Sequence, residues 1–332
     1  GRPTKRSKPA ARKPARRLPR VSFRPLWLSW TAAGLMLTVV LARFAGVFWL
    51  GAVAHELYLQ LCLLALGLGA ASVFQRAWPA LTACSLLVMV LGLPQLVLSR
   101  STRPTPSTGP TLRVMSAHLV AATPKPADLI AELVSKKTDL AVLTAPSADA
   151  LGELSKEAAL RNYRVLTGPP REGPWVALVR KELLAPGPRA TRHAGGPNVR
   201  VGACELGLRP FHVPSLFSYG QRDARRARLR QLQASLRERR TLWLGHLGSS
   251  PAAFDVQPLL AAQELRDGRL GYGRMPSWPP ALASLGVPLE HVLVHGWLRV
   301  SALDTDAPLA SGAHRTLRAT IELTEPTCRV AP

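Results

Sequence analysis

The stretch Thr241–Pro251, TLWLGHLGSSP, decides how the chain is read. Thr241 to Leu244 is a short apolar run closed by Gly245, the pattern of a buried strand that delivers a loop to a sheet edge. A loop at such a strand end is a place for metal ligands or a nucleophile. Here it presents His246, Gly248, Ser249 and Ser250, and no carboxylate. Ser249 and Ser250 follow a glycine but lack the G-x-S-x-G elbow and any placed base, so loop capping is the reading for them.

Working outward, residues 111–332 are long enough for one sizeable core. Strands are expected at Leu112–Ser116, Asp139–Leu143, Asn162–Thr167, Trp175–Arg180 and Asn198–Leu206. Helices are expected at Pro126–Lys137, Ala148–Leu160, Gln221–Arg239 and near Val256–Glu264. Strands at His291–His295, Leu298–Leu303 and Thr316–Leu323 close the chain. Alternation at first and pairing of strands later predict a mixed sheet sandwich with helices outside. The helix Gln221–Arg239 carries seven arginines, with Leu229, Leu232 and Leu236 on its buried side. Its basic residues read as a solvated face. The alternative is a contact with anionic lipid through Arg222–Arg240. No aromatic side chains interleave with them, so the stacking platform of a single-strand nucleic-acid binder is absent.

The amino-terminal third has another character. The formal charge of +23 is uneven over the 332 residues. Residues 1–24 hold ten Lys or Arg and no acid, whereas residues 111–332 hold 29 basic against 19 acidic residues. A basic, Pro-rich tail of this kind cannot bury enough surface to fold, and residues 1–24 read as a disordered cytoplasmic tail. Residues 25–99 contain only Arg43, Glu56 and Arg76 as charges. Three apolar runs, Pro25–Ala42, Leu57–Phe74 and Trp78–Leu98, approach the roughly 20 residues of a membrane-spanning helix. Three spans place residues 100–332 outside the cytoplasm, and two would reverse that side. Residues 100–110, RSTRPTPSTGP, are a linker. Cys62 and Cys84 lie inside the apolar runs and read as small hydrophobes. A bridge between Cys204 and Cys328 is permitted outside the cytoplasm, but the spacing makes no signature and leaves the pairing open.

Five segments carry a resemblance. LRVMSAHLV, TDLAVLTAP, RLRQLQASLRERRTLWLGHLGSSP, GYGRMPSWPPALASLGVPLEHVLVHGWLRV and SGAHRTLRATIEL follow, in order and in texture, the strand ends of the endonuclease/exonuclease/phosphatase family. With apolar spans before the domain, the chain resembles that family's membrane-anchored branch, which includes glycopeptide-resistance membrane proteins. The resemblance implies three transmembrane helices followed by a four-layer α/β sandwich, in a bacterial inner or plasma membrane, with the carboxy-terminal domain extracytoplasmic.

The same comparison implies that the chemistry has changed. His118 stands where the family has its first Asn, and Ala145 where it has the metal-binding Glu. His246 and Gly248 stand for the Asp and Asn of the GDFN motif. Glu290 stands for the Asp before His291, and Ala313 for the last Asp, with His314 kept. A histidine in the strand expected at Asn198–Leu206 is not found; Cys204 and Glu205 lie near that place. Mg²⁺ wants oxygen ligands, and these substitutions remove them. The resemblance then implies a pseudoenzyme without a cofactor, serving as an extracytoplasmic binding or assembly module for a membrane or cell-envelope protein. One alternative is a Zn²⁺ site at His118, His246, His314 and Glu290. The other is residual hydrolysis of a lipid or cell-envelope phosphate ester by the remnant catalytic pair Glu290 and His314. The bilayer, through residues 25–99, is the expected partner; nucleic acid is not.

Overall fold

The computed structural model describes residues 30–34, 53, 56–74, 78, 80–86, 88, 109–119, 125–146, 148–168, 174–184, 196–235, 240–282, 285–308, 314–325 and 328. The expected tail 1–24, most of the runs Pro25–Ala42 and Trp78–Leu98, residues 100–108 of the linker, and Ala313 lie outside the described residues.

Among the described residues eleven strands, β1 (Thr111–His118), β2 (Leu140–Thr144), β3 (Tyr163–Thr167), β4 (Trp175–Arg180), β5 (Asn198–Val201), β6 (Cys204–His212), β7 (Thr241–His246), β8 (Arg266–Asp267), β9 (Glu290–Val294), β10 (Leu298–Pro308) and β11 (Arg315–Leu323), form two mixed sheets. The first has the order β10-β11-β1-β2-β4-β3 and the second β5-β6-β7-β9-β8. β1 pairs with β2, and β6 with β7, in parallel; the other pairings are antiparallel.

Strand alternation builds the layers, because successive side chains leave opposite faces of a strand. Leu112 and Val114 of β1, Leu206 and Leu208 of β6, Leu242 and Leu244 of β7, and Val292 and Val294 of β9 share one core between the sheets. Met115 and Ala117 of β1 turn the other way, onto helices α2 (Pro126–Ser135) and α3 (Ala148–Leu160). Phe211, Trp243 and Leu293 turn outward from the second sheet, onto α4 (Arg222–Gln233) and α5 (Gln257–Ala262). The result is a helix–sheet–sheet–helix sandwich, as expected for residues 111–332.

Two elements differ from the sequence reading. The single strand expected at Asn198–Leu206 is a hairpin: β5 and β6 pair through Val201↔Cys204 around a two-residue turn with Gly202 at φ 62°. Such a turn needs a positive φ, which glycine supplies without strain. β6 then runs on through Pro210 to His212, although proline argues against a strand interior. In α4, Arg225 and Arg228 are buried. Arg225 forms a bidentate pair with Asp255 and donates to the Pro214 and Leu247 carbonyls and to Ser249 Oγ. These two arginines therefore face the fold rather than solvent or lipid, while Arg226 and Arg230 are exposed.

In the amino-terminal third, α1 (Tyr58–Phe74) has 17 residues and packs Cys62 and Ala65 with Ala32, Ala80 and Cys84. At about 1.5 Å per residue it is about 26 Å long. Among the described residues no helix is long and apolar enough to cross a membrane. Three complete spans are therefore not among the described helices.

Cys204 and Cys328 form a disulfide, closing a loop across 124 residues. It ties the start of β6 to the segment after β11. Closing so long a loop restricts the unfolded chain, an effect of about 2–4 kcal/mol. Replacing both cysteines by serine is expected to lower the denaturation midpoint by that amount of stability. An unchanged midpoint would show that the bridge contributes nothing to the fold.

Candidate histidine site

One edge of the sandwich collects the candidate residues. β1, β2, β6 and β7 end there, and β9 and β11 begin there. The inward parity that places Val114, Leu208, Leu244 and Val292 in the core also assigns His118, His212, His246 and Glu290 to the inner faces, at the strand ends. Register fixes their neighbours: His118 lies opposite Thr144, His212 opposite His246, and His246 opposite Glu290. His314 enters directly before β11. His291 has the opposite parity and faces away, bonding Arg269 and the Ser249 carbonyl.

The rings form a compact group. His118 stacks on His246 with centroids 4.1 Å apart and 13° between planes. His118 and His314 are 4.7 Å apart, and His246 and His314 5.3 Å. His212 lies 5.5 Å from His118 and 5.6 Å from His246. Sequence reading did not place His212 in this group. Its signal was the alternation Leu206, Leu208, Pro210, His212, hidden by the hairpin turn and the proline.

Glu290 sits beneath the rings with 0 % exposure. Its Oε1 accepts from His246 Nδ1 at 3.1 Å and from His314 Nδ1 at 2.7 Å. Burial alone would raise this carboxyl, but the two imidazole bonds outweigh it and hold it well below the ordinary carboxylate range. An ionised carboxylate only accepts, so both rings donate from Nδ1. His118 Nδ1 lies 2.9 Å from Thr144 Oγ1, a hydroxyl that itself reaches the Ala117 carbonyl at 3.5 Å. His246 and His314 thus commit Nδ1 to Glu290, while His118 lies outside the group whose ligand atoms come together. Histidine ligands of metals have this arrangement, the second nitrogen being fixed by a carboxylate or another acceptor. Glu290 Oε2 is buried and has no hydrogen-bond partner among the described residues.

His246, Glu290 and His314 offer ligand atoms within 4.8 Å of one another. Nitrogen donors with a single carboxylate do not suit Mg²⁺, which takes oxygen ligands. They suit Zn²⁺ and similar borderline ions. Two other positions singled out in the sequence bring no ligand side chain. Ala145 follows β2 at φ 56° and carries no ligand atom. Gly248 has φ 64°, and a Cβ there would lie 2.6 Å from Ser215 Cα, so this position takes no side chain. A second Cys-rich group, Cys204, Glu325 and Cys328, has its two sulfurs in the disulfide.

No family model and no curated protein matches the chain. Solved structures resemble it. The D. rerio TDP2 structure with a single-strand DNA product is 13% identical, with 64% of this chain and 99% of that chain covered and a TM-score of 0.49. The 3′ phosphatase NExo from Neisseria, bound to a product DNA hairpin, is 14% identical over 63% of this chain and 98% of that one, at 0.47. An endonuclease/exonuclease/phosphatase protein of Beutenbergia cavernae is 16% identical over 64% of this chain and 72% of that one, at 0.46. At these identities and scores the likeness adds nothing to the sandwich described above from its own strand pairing.

The rings set an acid limit on stability. Burial, with the neighbouring rings adding to it, lowers His118 to about 2. Burial first, then His246 and Arg228, lowers His212 to about 3. Both lie below the ordinary value near 6.5. Between those limits the unfolded chain binds more protons, so stability is full above about pH 6.5 and falls as pH drops. Each ring contributes at most about 1.4 kcal/mol per pH unit, less for half-buried groups. Denaturant titrations with a chelator present, at pH 7.5, 6 and 4.5, are expected to show a steady loss. Equal or greater stability at pH 4.5 would contradict buried neutral rings.

Proposed function

We propose that residues 111–332 form an endonuclease/exonuclease/phosphatase-type sandwich in which a histidine site has replaced the oxygen ligands of a Mg²⁺ centre. The domain works as a binding module held at a membrane, and its ligand at the sheet edge is a borderline divalent ion of the Zn²⁺ class. The observation that carries this reading is the grouping of His246, His314 and Glu290 within 4.8 Å, with Glu290 Oε1 shared between the two rings. No Mg²⁺-dependent phosphodiester step is assigned to these residues.

The module is placed outside the cytoplasm, the amino-terminal helices being its anchor in a bacterial inner or plasma membrane. Two observations support that placement. The Cys204–Cys328 bridge belongs to an oxidising compartment. On α1 the side chains of Leu63, Leu64, Leu66 and Val73 are exposed, which suits lipid rather than water. The basic residues of 1–24 then stay inside. A protein or lipid of the cell envelope is the partner class this placement offers.

A second reading, hydrolysis of a phosphate ester, is favoured by one feature, the buried and unpartnered Glu290 Oε2. A Zn²⁺-class ion would supply Lewis acidity and a more acidic bound water. His246 and His314, with Glu290, would hold it. Glu290 would orient two of the rings and keep their Nδ1 protons in place. His212, half-buried at the mouth, would meet the incoming group.

Full-length protein in detergent, titrated with Zn²⁺ and with Mg²⁺ and assayed on a generic phosphodiester, tests the reading. One Zn²⁺ per chain, lost in His246→Ala, and no turnover with Mg²⁺ are expected. Mg²⁺-dependent turnover would overturn the binding-module reading, and turnover only with Zn²⁺ would establish the second one.

A further inference from the structure

The first 110 residues contain a single acid, Glu56. It is 1% exposed, and its partners belong to the carboxy-terminal domain. Glu56 Oε2 accepts from the Ser250 backbone N–H at 2.7 Å, and Oε1 accepts from Ser250 Oγ at 3.0 Å. Four residues on, at helical spacing, Gln60 Nε2 donates to the Leu285 carbonyl. Backbone bonds from Leu57 to Val53 and from Leu61 to Leu57 carry helical turns through this region. Glu56 and Gln60 are therefore neighbours on one face of the helix end, and each grips a different loop.

Both loops flank the histidine site. Ser249–Ser250 follows β7, which ends in His246. Leu285 precedes β9, which begins at Glu290. The first loop is itself wired to the second sheet. Ser249 Oγ accepts from Arg225, and the Ser249 carbonyl accepts from His291 Nε2. His291 Nδ1 accepts from Arg269 Nη1 at 2.8 Å, and Arg269 also donates to the Glu290 carbonyl. The Leu289 and Glu290 N–H groups both donate to Ser277 Oγ. A continuous polar chain thus runs from Glu56 through Ser250, Ser249, His291 and Arg269 to the backbone of Glu290.

A carboxylate withdrawn from water is costly unless hydrogen bonds replace its hydration. Burial pushes Glu56 up to about 7, with the Ser250 bonds and Arg225 pulling it down and Asp255 opposing them.

We propose that Glu56 and Gln60 form a latch, by which the amino-terminal helices hold the two loops carrying His246 and Glu290 and so set the geometry of the histidine cluster. Releasing the helix end loosens the cluster, which makes the site responsive to whatever moves the anchor. The latch concerns the site of the proposed function, but it needs neither bound metal nor a bilayer.

Amide hydrogen exchange on the metal-free full-length chain in detergent tests it, because that readout does not depend on any ligand. Glu56→Ala combined with Gln60→Ala is expected to speed exchange about tenfold or more at 247–251 and at 286–291, given the loss of charge-assisted bonds. β3 and β4, far from the latch, are expected to keep their protection. Glu56→Gln, which keeps the volume and removes the charge, is expected to give a smaller increase in the same two segments. Faster exchange at Ser250 with 286–291 unchanged would overturn the proposal, since the contact would then be local. Equal loss of protection across β3 and β4 in both variants would also overturn it, because the contact would then only support the whole fold.

Discussion

The site depends on one shared oxygen. Glu290 Oε1 takes a hydrogen bond from His246 Nδ1 and another from His314 Nδ1, in a position fully shielded from water. A buried carboxylate is tolerated only where donors replace its hydration, and two imidazole N–H groups supply that here. In return the carboxylate fixes the tautomer of both rings. His118 stacks on His246, and its own Nδ1 is held by Thr144. The packing of three rings with centroids 4.1 to 5.3 Å apart is built around this anchor. If the rings were charged they would repel; neutral, they stack and present nitrogen lone pairs.

That constraint separates the chemistry from the fold. The same sheet edge furnished with carboxylates and amides would offer hard oxygen donors. In this chain β2 ends at Thr144 and is followed by Ala145, and the loop after β7 needs a bare glycine at 248 because of its positive φ and the closeness of Ser215. What remains is a nitrogen-rich mouth with one acid below it. The loops around that mouth are held from behind by Arg225, Arg269 and Glu56, so the site is tied both to the second sheet and to the amino-terminal helices.

Much of this was legible in the sequence. The apolar runs Leu140–Leu143 and Trp175–Val179 are strands because both their faces are covered. His246, Glu290 and His314, singled out only through the family resemblance, lie together at the sheet edge. Other features were hidden for physical reasons. His212 follows a proline in a strand that the turn at Gly202 had already divided, so alternation could be followed only once the hairpin was known. Arg225 and Arg228 look like two more charges on a basic helix, and nothing in the helical period marks which arginine finds Asp255 and three inward-facing oxygens. The partner of Glu56 lies 194 residues away, and the Cys204–Cys328 bridge spans 124; neither separation leaves a local signature.

The most direct test of the central claim is the protonation pattern of the rings themselves. Nitrogen-15 chemical shifts of the histidine side chains, recorded on metal-free protein at neutral pH, report which ring nitrogen carries the proton. His246 is expected as a neutral ring protonated at Nδ1, with Nε2 bare, and His314 is expected to carry a proton on Nδ1. Protonation of His246 at Nε2, or an imidazolium there, would contradict the account, because that nitrogen would then be occupied.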